Sequence, residues 1–351
     1  YPASITKIMT LLVAVENSSM DEQVTFTETG VRNVAADSSN INSKVGEVMT
    51  MQDCLHALMI ISANDAAAQI AEHVGGTEQN FIDMMNQRAA EIGCTNTHFT
   101  NSSGLPDENH YSSAKDMALI FREGLKNKDF RSVIGDADYT IQPTNMTSDK
   151  RVMHTHHPMF APESDIYYPG CIGGKTGFTN LAAHTLVTAV EQNGTTYIAV
   201  VMHGVELSTC CLDSKALFDY GFGNFTKTAV DGGSVILPKG MDVNALTTKS
   251  ESSNGKIETV YYAGDHQVGT STVDEMAATA TPTPETAASE TTGDTLDQSG
   301  ESDNADISGT SSSEVSQNSK STLDTQSTTT GKVSETKGVP ALRKILLMIM
   351  A

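Results

Sequence analysis

The chain lacks tryptophan and has about half as many basic as acidic side chains, 22 Lys and Arg against 43 Asp and Glu, for a net charge of −21. This acidity argues against binding to nucleic acid or anionic lipid. The five cysteines are an odd number without a CxxC pair or metal-ligand spacing, which argues against a disulfide framework and a zinc site. No GxGxxG sequence, Walker loop or internal repeat is present, and we predict no cofactor.

The residues after about 270 lack what a folded domain needs. From Asp274 to Gly331 there is no aromatic residue and Lys320 is the only basic one, while Thr, Ser, Ala, Asp and Glu dominate. Such a segment cannot bury enough apolar surface to offset the entropy of ordering it. We therefore predict a disordered acidic linker over residues 271–338, which carries much of the net charge.

The apolar end of the chain, residues 339–351, is far shorter than the roughly 20 residues that a membrane-spanning helix needs. A hydrophilic stalk, then Arg343-Lys344, then an apolar run cut off by the chain end is nevertheless typical of a truncated membrane anchor. Two other interpretations stay open: a frayed apolar tail, and an amphipathic helix that lies on a membrane surface.

Three short motifs occur in order along the chain: Ser4-Ile5-Thr6-Lys7, Ser62-Ala63-Asn64 and Lys175-Thr176-Gly177. Each is weak alone. The first also reads as part of a buried helix, and the second as the end of one helix followed by the N-cap of another. Together and in this order, they indicate a serine acyl-transfer site.

The chemistry of acyl transfer explains the spacing of the first motif. If a helix begins near Ser4, Lys7 lies on the same face and its amine reaches the Ser4 hydroxyl. A serine hydroxyl needs an adjacent base, and a lysine amine is a base only when it is neutral. We expect burial or a second cation, such as Lys175, to lower the pKa of Lys7. The Ser4 N–H, near a helix N-terminus, would donate to an oxyanion.

The third motif precedes two β-rich runs, residues 184–190 and 196–202, which are joined through Asn193-Gly194, a pair typical of hairpin turns. We therefore predict that the motif lies on or beside a sheet edge. Gly177 would let a substrate strand lie against that edge, and the Phe178 N–H is a candidate second oxyanion donor.

The chain resembles the D-alanyl-D-alanine carboxypeptidases, the low-molecular-mass penicillin-binding proteins, over roughly residues 1–225. Beyond the three motifs, the resemblance rests on Gly46-Glu47 before Thr50, Ile60-Ile61-Ser62-Ala63-Asn64-Asp65-Ala66-Ala67, Phe81 with Met84-Met85-Asn86, Asn96-Thr97-His98-Phe99, Gly104-Leu105, Ser113-Ala114-Lys115-Asp116-Met117-Ala118 and Leu217-Phe218-Asp219-Tyr220-Gly221-Phe222.

This resemblance implies the roles of the motif residues. In that family the first serine is acylated and its lysine acts as base, the second serine relays a proton, the asparagine binds the substrate amide, and the last lysine holds the terminal carboxylate. Carried over, these roles fall on Ser4, Lys7, Ser62, Asn64 and Lys175, with Thr176, Gly177 and Phe178 also in substrate binding. No metal is implied.

The resemblance also implies a reaction, a place and a fold. A peptidoglycan stem peptide ending in D-Ala-D-Ala would acylate the serine, lose its last D-alanine and be hydrolysed, and β-lactams would acylate the serine by the same route. The enzyme would act outside the cell, at the surface. The implied fold is α+β, β-lactamase/transpeptidase-like, with an antiparallel sheet flanked by helices in residues 1–225. A small β-rich segment, residues 226–270, would follow.

Three other functions share these motifs. A class A β-lactamase needs a glutamate in an E-x-x-L-N loop, but Glu163 is followed by Ser164-Asp165-Ile166-Tyr167. A non-catalytic peptidoglycan-binding module would have lost the nucleophile or the base, and Ser4 and Lys7 are both present. A transpeptidase uses the same acyl intermediate, and the sequence does not separate it from a carboxypeptidase.

The sequence departs from the family pattern in two ways. The stretch 205–213, where members commonly carry an arginine thought to help bind the substrate carboxylate, has none and contains Cys210-Cys211 instead. Carboxylate recognition would then rest more on Lys175 and Thr176. In addition, part of the central sheet that should precede Ser4 is missing, so the resemblance predicts an N-terminally truncated fragment.

The sequence predicts helices and strands in these intervals. Helices are expected at about 4–16, 51–60, 65–74, 78–92, 114–126 and 212–222, and strands at about 172–204. The run His154-Thr155-His156-His157 has no Asp, Glu or fourth ligand placed with it, so we do not predict a metal site there.

Overall fold

Helix α1 (Lys7–Asn17) lies at the centre of the fold, and its residues 7–15 are all buried. The structure, a computed structural model, describes residues 1–32, 38–275 and, as backbone, 345–350. The α1 segment is apolar around most of its circumference, as expected of a helix that is covered on all sides. A short 3-10 turn, Ala3–Thr6, precedes it.

Seven further α-helices occur in the described residues. They are α2 (Glu28–Arg32), α3 (Met51–Ile60), α4 (Asn64–Gly75), α5 (Glu78–Ile92), α6 (Ala114–Gly124), α7 (Lys128–Ile134) and α8 (Leu207–Asn224). Local sequence sets several ends. Thr50 and Asp53 bond each other's backbone N–H groups in a capping box before α3. Gly93, with φ 91°, ends α5 in the left-handed conformation that glycine adopts readily.

The strands of the described residues form two small pairs and two larger sheets. In chain order they are β1 (Gln23–Thr25), β2 (Val48–Thr50), β3 (Asp138–Ile141), β4 (Arg151–His154), β5 (Cys171–Thr179), β6 (Ala183–Gln192), β7 (Thr195–Gly204), β8 (Phe225–Val230), β9 (Gly233–Pro238), β10 (Thr247–Ser253), β11 (Lys256–Ala263), β12 (His266–Asp274) and β13 (Ile345–Met350). β1 pairs with β2, and β3 with β4.

The central sheet is antiparallel, in the order β13-β7-β6-β5, and helices cover both of its faces. Along β7 the side chains alternate: Ile198 and Val200 join the core around α1, whereas Tyr197 and Val201 join a second core with residues of α8. Asn193, φ 52°, and Gly194, φ 71°, form the tight turn between β6 and β7. The α+β prediction is confirmed.

The second sheet, in the order β10-β11-β12-β9-β8, lies in the segment predicted to be β-rich. Its last strand, β12, extends to Asp274, so the predicted boundary between this segment and the linker, at residue 270, is too early. Ladder pairing of β12 with both β11 and β9 holds residues that composition alone assigned to the linker. The rest of the predicted linker, residues 276–338, lies outside the described residues.

Several predicted boundaries were also wrong in the helical region. Residue 4 belongs to the 3-10 turn rather than to α1, α6 ends at Gly124, and α8 begins at Leu207, five residues before the predicted start. The sequence did not predict α2, α7, β1–β2 or β3–β4. These elements are short, so each contains too few residues to display a clear period.

The apolar end of the chain is described only at residues 345–350, which form β13. This strand pairs antiparallel with β7, from Ile345 opposite Met202 to Met350 opposite Tyr197. None of the three interpretations of this end includes a strand; pairing along β7 supplies the backbone hydrogen bonds that a helix would have made internally. Within the described ranges no helix is long and apolar enough to span a bilayer.

Candidate active site

A cleft of about 380 Å³ lies where the 3-10 turn, the start of α4 and strand β5 meet. Six of the eight residues predicted from the motifs line it: Ser4, Ser62, Asn64, Thr176, Gly177 and Phe178. The other two, Lys7 and Lys175, are 0% and 2% exposed. The fold therefore brings all three motifs to one place.

Ser4 and Lys7 meet at the junction between the 3-10 turn and α1. Lys7 Nζ lies 3.2 Å from Ser4 Oγ, 2.7 Å from Asn64 Oδ1 and 2.6 Å from the Ser103 carbonyl oxygen. Side chains three residues apart eclipse each other in a 3-10 helix, so the spacing of the motif suits this turn as well as the predicted α-helix.

The three partners of Lys7 fix what its amine can do. Burial, and then the positive charge of Lys175, hold the pKa of Lys7 well below its ordinary value of 10.5. A neutral amine has two N–H donors and one lone pair, and the oxygens of Ser103 and Asn64 accept hydrogen bonds but cannot donate. In the neutral form of Lys7, the two N–H groups can therefore donate to these oxygens. The lone pair is left for the Ser4 hydroxyl, as a base requires.

Ser62 and Asn64 reach the cleft from the sharp junction between α3 and α4. Ser62 has φ 63°, a left-handed conformation that serine rarely adopts. Its Oγ is buried and has no hydrogen-bond partner within the described part of the chain. A buried hydroxyl without a partner is unfavourable, so Ser62 Oγ is available to a ligand in the cleft. Asn64 is anchored by its N–H, 2.7 Å from the Ser39 carbonyl oxygen.

Strand β5 places Gly177 directly against the first motif. A Cβ at Gly177 would lie 2.9 Å from Ser4 N and 2.4 Å from Thr185 Oγ1, so a side chain could not be accommodated without a shift. β5 is also an edge strand of the described sheet, with one row of backbone groups directed away from β6. A peptide could therefore pair with this edge beside Ser4.

Lys175 is the second buried lysine of the site. Burial lowers its pKa to about 7, and its Nζ donates to the Thr176 carbonyl at 2.9 Å. Neither Lys175 nor Lys7 forms an ion pair with a described carboxylate. An anion bound near Lys175 would therefore stabilise its charged form and raise its pKa.

The loop of residues 100–105 also contributes, although none of the three motifs includes it. Asn101 Oδ1 accepts hydrogen bonds from the N–H groups of Ser103, Gly104 and Leu105 at 2.7 to 3.2 Å. Gly104 has φ 89° and packs so closely on Ala3 that a Cβ would lie 1.9 Å from the Ala3 carbonyl oxygen. This loop holds the Ser103 carbonyl against Lys7. Only Gly104-Leu105, within the family resemblance, pointed to it.

The histidines of residues 154–157 point to different places. His154 bonds Asp138 at 2.6 Å, the buried His157 contacts Thr188 at 3.0 Å, and His156 lines the cleft. Burial, and then the charge of Lys175, lower the pKa of His156. Among the described residues, no group of three His, Cys, Asp or Glu side chains could hold a metal ion.

Comparisons with known proteins identify the family. A family model described as D-alanyl-D-alanine carboxypeptidase matches residues 1–205. The chain belongs to this family. DacF, a D-alanyl-D-alanine carboxypeptidase of Bacillus subtilis, is 35% identical over 230 residues, which are 64% of this chain and 56% of DacF. A D-alanyl-D-alanine carboxypeptidase of Mycobacterium tuberculosis is 33% identical over 229 residues, 63% of this chain and 74% of that protein.

Solved structures of D-alanyl-D-alanine carboxypeptidase relatives agree with the fold. The crystal structure of a Streptomyces DD-transpeptidase has a TM-score of 0.58 and 29% identity, over 63% of this chain and 87% of that one. The predicted family and transpeptidase-like fold are thereby confirmed. The chain spans about half the length of DacF, a curated relative. The role of each site residue stays a prediction.

Proposed function

We propose that the chain is a serine D-Ala-D-Ala carboxypeptidase that acts on peptidoglycan stem peptides. The observation that carries the proposal is the environment of Lys7: a buried amine that contacts two acceptor oxygens and lies 3.2 Å from Ser4 Oγ. Family membership supports the substrate, since the curated relatives are named for D-alanyl-D-alanine.

In the proposed acylation, Ser4 Oγ attacks the carbonyl carbon of the penultimate D-alanine while Lys7 Nζ takes the hydroxyl proton. The carbonyl oxygen becomes an oxyanion, which accepts hydrogen bonds from the Ser4 and Phe178 N–H groups. The closeness of Gly177 to Ser4 N supports this pairing of donors.

The proton must then reach the leaving nitrogen of the last D-alanine. Ser62 Oγ, buried in the cleft and without a described partner, is suited to pass it from Lys7. The C–N bond breaks, D-alanine leaves with that proton, and the acyl chain remains on Ser4. Water then attacks the ester, with Lys7 again as base, and releases the shortened peptide.

Recognition of the substrate's terminal carboxylate is assigned to Lys175 and Thr176. Lys175 has no described counterion, so a carboxylate in the cleft would complete a charge-assisted hydrogen bond. Asn64 would donate from its amide to the substrate backbone. β-Lactams offer a reactive carbonyl and a carboxylate in similar positions, and we propose that they acylate Ser4 without rapid release.

A transpeptidase is the second candidate, because a solved structure similar to this chain is a DD-transpeptidase. It would use the same acyl-enzyme and differ only in whether an amine or water attacks the ester. In either case we propose that the protein works outside the cytoplasmic membrane, at the cell surface, where peptidoglycan lies. Anchoring through residues 339–351 stays a prediction from the sequence.

Release of D-alanine tests the activity. Incubated with diacetyl-Lys-D-Ala-D-Ala, the protein should release D-alanine, and Ser4→Ala should reduce the rate by at least about 10³-fold, since removal of a nucleophile leaves only binding and oxyanion stabilisation. An assay for free D-alanine measures the rates of the wild type and of Ser4→Ala. Adding an amino-acid acceptor separates the candidates: a transpeptidase would convert the peptide into an exchanged product. Equal rates of D-alanine release for the wild type and Ser4→Ala would refute a role of Ser4.

A further inference from the structure

A buried histidine outside the three motifs connects the two segments that surround Lys7. His110 is 1% exposed and lies between Thr6, which precedes Lys7 in the 3-10 turn, and Thr100, where the loop of residues 100–105 begins. Its Nδ1 is 3.0 Å from the Thr100 backbone N, and its Nε2 is 2.8 Å from Thr6 Oγ1. The proposed reaction does not use this imidazole directly.

The hydrogen bonds define the tautomer of His110. A backbone N–H can only donate, so Nδ1 must accept and the ring proton resides on Nε2. Nε2–H then donates to Thr6 Oγ1. Burial lowers the pKa of His110 to about 4, so the ring stays neutral at physiological pH. The imidazole is thus a fixed bridge with one acceptor and one donor.

The segments that His110 joins carry Lys7 and one of its partners. On one side, Thr6 is the residue before Lys7. On the other, the loop that starts at Thr100 supplies the Ser103 carbonyl, 2.6 Å from Lys7 Nζ. A second hydrogen bond joins the helix to the same loop: Thr10 Oγ1, one turn further along the chain, donates to the Ser102 carbonyl at 2.6 Å. Both connections therefore hold the part of the loop that directly precedes Ser103.

We propose that His110 is a positioning residue for acylation: by bridging Thr6 and Thr100, it keeps the Ser103 carbonyl on Lys7 Nζ and so directs the Lys7 lone pair to Ser4. This inference rests on the proposed function. If the bridge is lost, among the described residues of α1 only Thr10 still bonds this part of the loop, the Ser103 carbonyl shifts, and an N–H of Lys7 is free to rotate toward Ser4, which misdirects the lone pair. Binding in the cleft should change less than the rate, because His110 itself is not part of the wall, although Ser103, Gly104 and Leu105 of the loop are.

Acylation kinetics with benzylpenicillin test this role. The limiting acylation rate and the half-saturating concentration are measured separately for the wild-type chain and for His110→Ala. We expect the limiting rate to fall by about 10- to 100-fold, the effect of a displacement of about 1 Å at a reacting group, and the half-saturating concentration to rise by a smaller factor.

Two conservative variants each retain one of the two hydrogen bonds of His110. His110→Asn retains an acceptor near the position of Nδ1 for the Thr100 N–H, and His110→Gln retains a donor near the position of Nε2 for Thr6. Each should have a limiting rate between those of the wild type and His110→Ala. His56→Ala is the matched control, because His56 is also fully buried and bonds the Gln52 carbonyl and Asp136 away from the cleft.

The outcomes separate this inference from the proposed function. If the wild type is labelled by benzylpenicillin and folded His110→Ala is acylated at the same limiting rate, the inference alone is overturned. Equal losses in His110→Ala and His56→Ala at the same folded fraction, measured by circular dichroism, would also overturn it alone. A wild-type chain that is folded yet takes up no benzylpenicillin would overturn both.

Discussion

Lys7→Met is expected to lower the rate of Ser4 acylation by about 10²- to 10⁴-fold, the usual contribution of a general base. Methionine matches the length of the buried stem but has no lone pair that can take the Ser4 proton. Stability should fall by less than the lost hydrogen bonds alone would cost. Loss of the hydrogen bonds to Asn64 and Ser103 costs about 1–3 kcal/mol for each acceptor left unsatisfied, but the variant no longer keeps a lysine deprotonated inside the protein.

The measurement is the limiting acylation rate with benzylpenicillin, together with a thermal unfolding curve. Lys126→Met is a suitable control, because Lys126 is exposed and pairs only with Glu123 among the described residues. It should acylate like the wild type. A folded Lys7→Met that acylates at the wild-type rate would remove Lys7 from the mechanism.

The pH dependence of kcat/KM should depend on whether the substrate ends in a carboxylate. Lys175 binds this group only when protonated, and its pKa in the free protein is about 7. As the pH rises through this value the ammonium is lost, so kcat/KM for diacetyl-Lys-D-Ala-D-Ala should fall on the alkaline side. On the acid side, kcat/KM falls as Lys7 becomes protonated and ceases to be a base. The profile is therefore bell-shaped.

Lys175→Met removes the alkaline limb if this assignment is correct. At pH 6 we expect kcat/KM to fall by about 10- to 100-fold, since hydrogen bonds to charged groups contribute about 1.5–3 kcal/mol. The same peptide with an amidated end should lose little on substitution. Lys227→Met, in which the replaced amine bonds only the Gly194 carbonyl among described groups, is the control. An alkaline limb that persists in Lys175→Met would assign it to another group.

The sequence predicted those parts of the fold whose signals are local. α3 and α5 have the predicted bounds because a threonine N-cap and an apolar period mark both, and Gly93 also ends α5. The β6–β7 hairpin was predicted because Asn193-Gly194 favours one turn type. By contrast, β1 and β2 are three residues each and pair across more than twenty residues of intervening chain, so neither periodicity nor turn chemistry marks them.

The site also contains residues that local sequence signals mark and residues that they do not. The motifs specify side chains, and Ser4, Ser62, Asn64 and Thr176 were found in the predicted cleft. Ser103 could not be predicted, because its contribution is a backbone carbonyl, which every residue has. Its position depends on contacts between residues about a hundred positions apart, such as Thr6 with His110. Such contacts follow from tertiary packing and leave no short motif.

The most direct test of the account is mass spectrometry after incubation with benzylpenicillin. The central claim is that Ser4, activated by a neutral Lys7, is the nucleophile of a cleft that also contains the third motif. We predict a mass increase of one benzylpenicilloyl group, located by peptide mapping on Ser4 and lost in Ser4→Ala. A folded protein that carries no adduct, or carries it on another residue, would contradict the account.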